Sequence, residues 1–118
     1  MMLIDSNIIV YATKPEYAIL RQLIADNAPV VSAVSYVEVL GYHRLTHEER
    51  RHFEAFFAAT LILPLSRMVL DQAIKLRQLR KMTLGDALVA ATALTYGLTL
   101  VTRNPGFAPQ GAGPARGL

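Results

Sequence analysis

Apolar residues along this chain fall into short continuous runs, separated by longer segments in which they recur every third or fourth position. A continuous run is typical of a strand buried on both faces, and the longer period is typical of a helix that packs one face. The runs predict strands over residues 1–4, 30–32, 60–63 and 98–102. Because helical segments separate these strands, we expect a parallel sheet with right-handed crossovers.

Capping signals mark the boundaries of the helices, which are predicted over residues 16–26, 36–40, 47–59, 67–81 and 86–96. A hydroxyl side chain can accept a hydrogen bond from a free backbone N–H at a helix start, and glycine often follows a helix end. The predicted caps are Ser35, Thr46 (in a capping box with Glu49), Ser66 and Thr83, and the predicted ends are Gly41 and Gly97. The apolar positions of the 67–81 helix, including Leu70, Ile74 and Leu79, are expected to face the sheet.

Length and composition indicate one domain. The chain has 118 residues, of which 53% are hydrophobic and 18% are charged. This is enough for a substantial core and for helices on both faces of a sheet. We therefore predict a three-layer α/β/α fold with a parallel four-stranded sheet over residues 1–104, followed by a flexible tail over residues 105–118.

Composition also excludes several classes of site. The chain has no Cys, which rules out disulfides, thiolate metal sites and cysteine nucleophiles. His43, His47 and His52 lack the spacing that would put two of them on one helix face, so no zinc site is expected. The longest apolar stretch, residues 87–101, is too short and interrupted to span a bilayer, and the N-terminus does not resemble a leader. We expect no membrane association and a cytoplasmic location.

Charge is distributed unevenly between the two halves of the chain. Residues 1–63 contain five Lys or Arg and seven Asp or Glu, whereas residues 64–118 contain seven and two, respectively. The basic half is therefore a candidate surface for a polyanion, although mild basicity is also common among proteins that bind none.

Three acidic residues stand at notable points of this pattern: Asp5 directly after the first strand, Glu38 within an apolar helix, and Asp86 in the first turn of a helix. Each has an ordinary explanation. Asp5 can cap the next helix. Asp86 is an acid in the first turn of a helix, where the helix dipole stabilises a negative charge. Glu38 can face solvent or pair with Arg44.

The same acids also suit a metal site. Together with Asn104, which follows the last strand, they supply the oxygen ligands that a hard divalent cation takes, and the cation would relieve their mutual repulsion. Ligands in open α/β sheets bind beyond the carboxyl ends of the strands, where Asp5 and Asn104 are expected.

Four segments, in this order and spacing, resemble a PIN domain of the VapC type, the toxin of a toxin–antitoxin pair. The segments span residues 1–104 and are Leu3-Ile4-Asp5-Ser6-Asn7, Ser35 followed by Glu38, Leu84-Gly85-Asp86-Ala87 and the alanine-rich helix to Ala93, and Leu100-Val101-Thr102-Arg103-Asn104.

The resemblance implies an Mg²⁺-dependent ribonuclease, with Mn²⁺ as the other possible ion. It implies that Asp5, Glu38 and Asp86 bind the metal, that Asn104 completes the catalytic site, and that Ser6 and Thr102 line it. The metal would polarise the scissile phosphate and lower the pKa of the attacking water, and a second ion would stabilise the leaving oxygen.

One departure from the family leaves an alternative open. Family members commonly have an acid shortly after the Thr-x-Asn turn, whereas no acid follows Asn104 here. The alternative is therefore a catalytically impaired PIN domain that binds RNA or protein. A phospho-acceptor receiver domain fits less well, because Leu63 and Pro64 stand where its acceptor Asp would be.

Cations on the polar face of the 67–81 helix and directly after the last strand are candidates for contact with RNA phosphates, and a solvated helix face is the ordinary alternative. They are Lys75, Arg77, Arg80, Lys81 and Arg103. The resemblance further implies a homodimer whose site is covered by a VapB-like antitoxin. Candidate contacts for the antitoxin are Tyr36, Val39, Leu40 and Tyr42, which can instead pack against the 47–59 helix.

Overall fold

The computed structural model describes residues 1–102 and the backbone of residues 115–117. The strands are β1 (Met2–Ile4), β2 (Val31–Ser32), β3 (Ile62–Leu63), β4 (Thr99–Thr102) and β5 (Ala115–Gly117). The helices are α1 (Ser6–Tyr11), α2 (Ala18–Asn27), α3 (Ala33–Leu40), α4 (His47–Ala58), α5 (Arg67–Leu79) and α6 (Leu84–Tyr96), and a 3₁₀ turn at Pro15–Tyr17 precedes α2.

The strands form two small parallel sheets, one in the order β1-β4-β5 and one pairing β2 with β3. A bridge between Leu3 and Val30 links them. Beside this bridge the Ile4 N–H donates to the Val30 carbonyl at 3.1 Å, and the Val30 N–H donates to the Met2 carbonyl at 2.9 Å. The predicted parallel direction is confirmed, but the described residues form two small sheets rather than the predicted continuous four-stranded sheet.

β5 was not predicted, because its sequence is not an apolar run. Its backbone pairs with β4, from Ala115 opposite Leu100 to Gly117 opposite Thr102. A strand therefore lies within the segment expected to be a tail. Residues 103–114 and 118 lie outside the described residues, so the domain boundary at residue 104 stays a prediction.

The core lies on both faces of the strands, as a three-layer α/β/α arrangement requires. On one face Leu3 and Leu100 pack with buried residues of α5 and α6. On the other face Ile4 and Val101 pack with residues of α1, α2, α3 and α4. Alternate residues of β1 and β4 thus serve opposite faces, and Leu3, Ile4, Leu100 and Val101 are apolar because both faces are covered at these positions.

The starts of α1 and α3 were not predicted. Residues 6–11 form α1, although no helix was expected there, because six residues are too few to display a helical period. Ser32, rather than Ser35, caps α3, with its hydroxyl accepting a hydrogen bond from the Val34 N–H at 3.1 Å. Ser35 is instead fully buried within α3.

The other predicted caps are confirmed. Thr46 and Glu49 form a reciprocal capping box at the start of α4, and Ser66 and Thr83 cap α5 and α6. Gly97 ends α6 with φ at +65°, a left-handed conformation that glycine adopts without strain.

α5 buries a narrower face than predicted. Val69, Ala73 and Leu76 are buried against α6 and the strands, whereas Leu70, Ile74 and Leu79 are exposed. The buried residues lie three and four positions apart and form a single row, so the flanking apolar residues point away from the core. Among the described residues, no helix is both long enough and apolar enough to cross a membrane.

Candidate functional site

Asp5 lies at the carboxyl end of β1, where it is buried and also caps α1. Its Oδ1 accepts a hydrogen bond from the Ile8 N–H at 2.9 Å, and its Oδ2 accepts one from the Thr102 hydroxyl at 2.5 Å. Thr102 ends β4, which is paired with β1, so two neighbouring strand ends meet at this carboxylate. The capping explanation and the site hypothesis for Asp5 are therefore compatible.

Burial dominates the electrostatics of Asp5. Desolvation raises the pKa of its carboxyl group above the ordinary value of 3.8, and the charges of Asp86 and Glu38 raise the pKa further, while the hydrogen bonds from Thr102 and Ile8 oppose the shift. The two neighbouring acids thus act on Asp5 through space. A cation bound among the three would relieve this repulsion.

Glu38 extends from α3 towards the start of α1. Its Oε1 accepts a hydrogen bond from the Ser6 hydroxyl at 2.6 Å, although the residue as a whole is exposed. The partner of Glu38 is thus Ser6 rather than Arg44. Ser6 was expected to line the site, and this bond shows how it can orient a carboxylate.

Asp86 occupies the first turn of α6, where its N–H donates to the Thr83 hydroxyl at 3.1 Å. The preceding residue, Gly85, lies against Glu38. A Cβ atom at Gly85 would come within 3.0 Å of Glu38 Oε2. The absence of a side chain at this position therefore lets α3 and α6 bring their two carboxylates to one place.

Asp5, Glu38 and Asp86 line a single cavity of about 80 Å³. The other lining residues are Ser6, Asn7 and Val89. This volume exceeds the roughly 30 Å³ that one water occupies in the liquid, so it has room for an ion with some of its water. Within the described part of the chain, no three acidic or histidine side chains are already grouped closely enough to hold a metal ion. The donor chemistry nevertheless fits a hard cation, because three carboxylates from three elements face one small space.

Sequence reasoning did not identify Asn7 and Val89 as site residues. Val89 follows Asp86 by three positions on α6, so the helical period could have placed both on one face. Asn7 could not be placed, because α1 itself was not predicted.

The remaining predicted site residues fall into two groups. Asn104 and Arg103 lie outside the described residues. Arg77, Arg80 and Lys81 are exposed and do not line the carboxylate cavity. They stand at the end of α5 and in the short connection to α6, whose first turn carries Asp86.

The sequence matches the family model of the PIN domain over residues 2–110. No curated protein matches the chain. Because the match covers nearly the whole chain, it includes every element that contributes a carboxylate to the cavity.

Several solved structures, among them VapBC structures, share this fold. The VapBC complex of Salmonella typhimurium bound to DNA is 17% identical, with a TM-score of 0.84 and coverage of 99% of this chain and 98% of that chain. VapBC2 of Rickettsia felis, bound to a promoter DNA fragment, is 20% identical, with a TM-score of 0.81 and coverage of 99% and 98%. FitAcB of Neisseria gonorrhoeae is 23% identical, with a TM-score of 0.74 and coverage of 91% and 90%. At these identities the likeness shows the fold alone.

Replacement of Asp5 by Asn is expected to leave the metal-free protein at least as stable as the parent at neutral pH. The pKa of the Asp5 carboxyl group in the folded state lies above 3.8, so the folded protein binds a proton at Asp5 more tightly than the unfolded chain does. The parent protein therefore loses stability as pH rises from 3.8 through the folded-state pKa. Asn cannot ionise and still caps a helix. The stability advantage of Asp5→Asn should therefore shrink as pH falls.

Urea denaturation in chelator-treated buffer, from about pH 4 to about pH 8, measures this difference. Asp26→Asn, which changes an exposed acid on α2, is the charge-matched control and should track the parent. An advantage of Asp5→Asn that grows as pH falls would show that burial does not disfavour the charged form of Asp5.

Proposed function

We propose that this chain, which belongs to the PIN domain family, is the toxin of a toxin–antitoxin pair and a metal-dependent endoribonuclease. The observation that carries the proposal is the convergence of Asp5, Glu38 and Asp86 on one cavity at the carboxyl end of β1. The shared fold with VapBC complexes supports the toxin role.

Asp5, Glu38 and Asp86 would hold a divalent cation, Mg²⁺ or Mn²⁺. Carboxylate oxygen is the ligand type that both ions favour. When bound, such an ion polarises a phosphoryl oxygen and lowers the pKa of its water, which is the chemistry that phosphodiester hydrolysis needs.

The protein's own contribution is to fix the carboxylates before substrate arrives. The hydroxyl of Thr102 and the N–H of Ile8 hold the two oxygens of Asp5, and the hydroxyl of Ser6 holds one oxygen of Glu38. Hydrogen bonds of this kind orient metal ligands and limit the reorganisation that binding would require. Ser6 and Thr102 are therefore positioning residues in this proposal.

RNA would approach the cavity across the basic end of α5. Arg77, Arg80 and Lys81 are exposed next to the turn that carries Asp86, so they can neutralise phosphates of an RNA strand that reaches the cavity from this side. Lys75 is also exposed on α5. These contacts would supply affinity without reading sequence.

An antitoxin would cover the site from the side of α3. Tyr36 and Tyr42 remain 42% and 54% exposed, whereas Val39 is buried and Leu40 is half-buried. Tyr36 also packs edge-on against Phe57 of α4, with ring centroids 5.1 Å apart. The two tyrosines therefore stay available to a partner, while Val39 belongs to the core.

A homodimer is part of the same proposal. Leu70 and Ile74 are 40% and 55% exposed and lie one turn apart on α5. An exposed apolar pair at this spacing suits contact with a second copy.

Asp5→Asn and Asp86→Asn should each abolish RNA cleavage and growth arrest, because each removes a ligand charge from the cavity. The assay is cleavage of labelled RNA at fixed Mg²⁺, with a chelator arm and with Asp26→Asn as the control. Cleavage by both site variants at the parental rate would refute the site. RNA binding by a parent that never cleaves would instead favour the impaired PIN domain.

Replacement of Arg77, Arg80 and Lys81 together by Gln should weaken RNA binding and flatten its dependence on salt. The logarithm of the binding constant falls linearly with the logarithm of the salt concentration. For single-stranded RNA, each lost contact between a cation and a phosphate makes this slope shallower by about 0.7. A matched variant that replaces Arg44, Arg50 and Arg51, which are also exposed, controls for net charge. Equal slopes for the two variants would show that the α5 cations have no special role in RNA binding and simply face solvent.

Co-expression with the adjacent small open reading frame should yield a stable complex in which RNA cleavage is suppressed. Copurification, light scattering and an RNase assay test the partner, the two-copy assembly and the inhibition together. A complex that cleaves RNA as fast as the free protein would contradict masking of the site. A mass equal to one copy would contradict the homodimer.

A further inference from the structure

A second cavity, of about 300 Å³, lies beside the carboxylate cavity between α1, α3 and α4. The two share Ser6, Asn7 and Glu38 as lining residues. The Ser6 hydroxyl donates to Glu38 Oε1 at 2.6 Å, so the side chains that border both cavities are themselves in contact. A base in the second cavity would therefore be adjacent to a phosphate at the carboxylates, on the other side of this hydrogen-bonded pair.

We propose that this second cavity is a subsite for one base of the substrate, adjacent to the scissile phosphate, and that it prefers a base with an exocyclic amino group over uracil. The proposal rests on the proposed function for its substrate class. It adds the part of the protein that would read sequence, which the α5 cations cannot do.

The walls of the subsite suit a flat apolar ring. Val10, Val39, Leu45 and Phe53 supply aliphatic and aromatic surface, and the ring of Tyr42 stands at the edge with 54% of the residue exposed. Single-stranded RNA is commonly recognised by stacking of an unpaired base on such aromatic side chains.

The charged groups of the subsite are both hydrogen-bond acceptors. Glu38 and Glu49 contribute carboxylates, whereas Ser6, Asn7 and Tyr42 can both donate and accept, and none of the lining residues of this cavity is Lys, Arg or His. A phosphate would be repelled here. Cytosine, adenine and guanine each carry an exocyclic amino group that can donate to a carboxylate. Uracil has carbonyl oxygens in place of an amino group, so its ring N3–H is its only base donor and the flanking oxygens would face the carboxylates.

Glu49 is a rigid acceptor because it belongs to the capping box of α4. Its Oε1 accepts a hydrogen bond from the Thr46 N–H at 2.9 Å, and its own N–H donates to the Thr46 hydroxyl at 3.1 Å. These bonds lower the pKa of the carboxyl group, so Glu49 is ionised at neutral pH. Its second oxygen is then available to accept from a base.

A change of Glu49 to Gln gives a sharp test. Gln also serves in a capping box, so its carbonyl oxygen can replace Oε1 at Thr46 while its NH₂ group takes the place of Oε2. The subsite would then present a donor in place of an acceptor. Glu54→Gln makes the same chemical change at an exposed position of α4 that does not line the cavity.

The measurement is fluorescence anisotropy with labelled oligo-C, oligo-A and oligo-U of equal length in Ca²⁺, which also binds carboxylate oxygens, with a gel to check that the oligonucleotides stay intact. We expect the parent to bind oligo-C and oligo-A about tenfold more tightly than oligo-U. Glu49→Gln should remove or reverse this preference, and Glu54→Gln should retain it. Tyr42→Ala should weaken all three about tenfold, because stacking does not distinguish bases.

The outcomes separate this proposal from the proposed function. If the parent shows the predicted preference and Glu49→Gln alters it, the subsite stands even when no RNA is cleaved. If the parent cleaves RNA at the Asp5 site but binds the three oligonucleotides equally, or if Glu49→Gln keeps the parental preference, the subsite is refuted. It is also refuted if Glu49→Gln and Tyr42→Ala weaken only the complex with a protein partner, because the cavity would then hold a basic side chain.

Discussion

The arrangement of this protein depends on the burial of one carboxylate, that of Asp5, between the ends of β1 and β4. A charged group in the core is costly unless it is hydrogen-bonded or neutralised. Here the N–H of Ile8 and the hydroxyl of Thr102 hold its two oxygens, so the cost is partly offset. The bond to Thr102 joins residues 97 positions apart, and it forms only when β1 and β4 pair in parallel.

The remaining parts of the site follow from how closely the helices approach this point. Gly85 lets the first turn of α6 lie against Glu38, and the Ser6 hydroxyl ties Glu38 to α1. The three acids therefore come from separate elements that pack around a common strand end. The placement of mutually repelling charges in one cavity is consistent with selection for ligand binding, since a fold has no need of it for stability.

In our proposal, the second cavity lets the protein distinguish one RNA base from another. The basic end of α5 is suited to any phosphate chain, whereas a cavity with acceptor groups and aromatic walls is suited to particular bases. Because α4 carries Glu49 in its capping box, the residue that would read the base is also one that stabilises the helix start. Affinity and selectivity would then reside on opposite sides of the carboxylates.

The sequence by itself determined the features whose causes are local. Strand runs, helix periods and caps such as Thr46, Ser66 and Thr83 depend on residues a few positions apart, and the family resemblance named Asp5, Glu38 and Asp86 from the short segments that contain them. Only the tertiary structure decided that these acids face one cavity and that the sheet divides in two. These outcomes depend on pairing and packing between distant segments, and the six-residue α1, which borders both cavities, is too short for a local pattern to reveal.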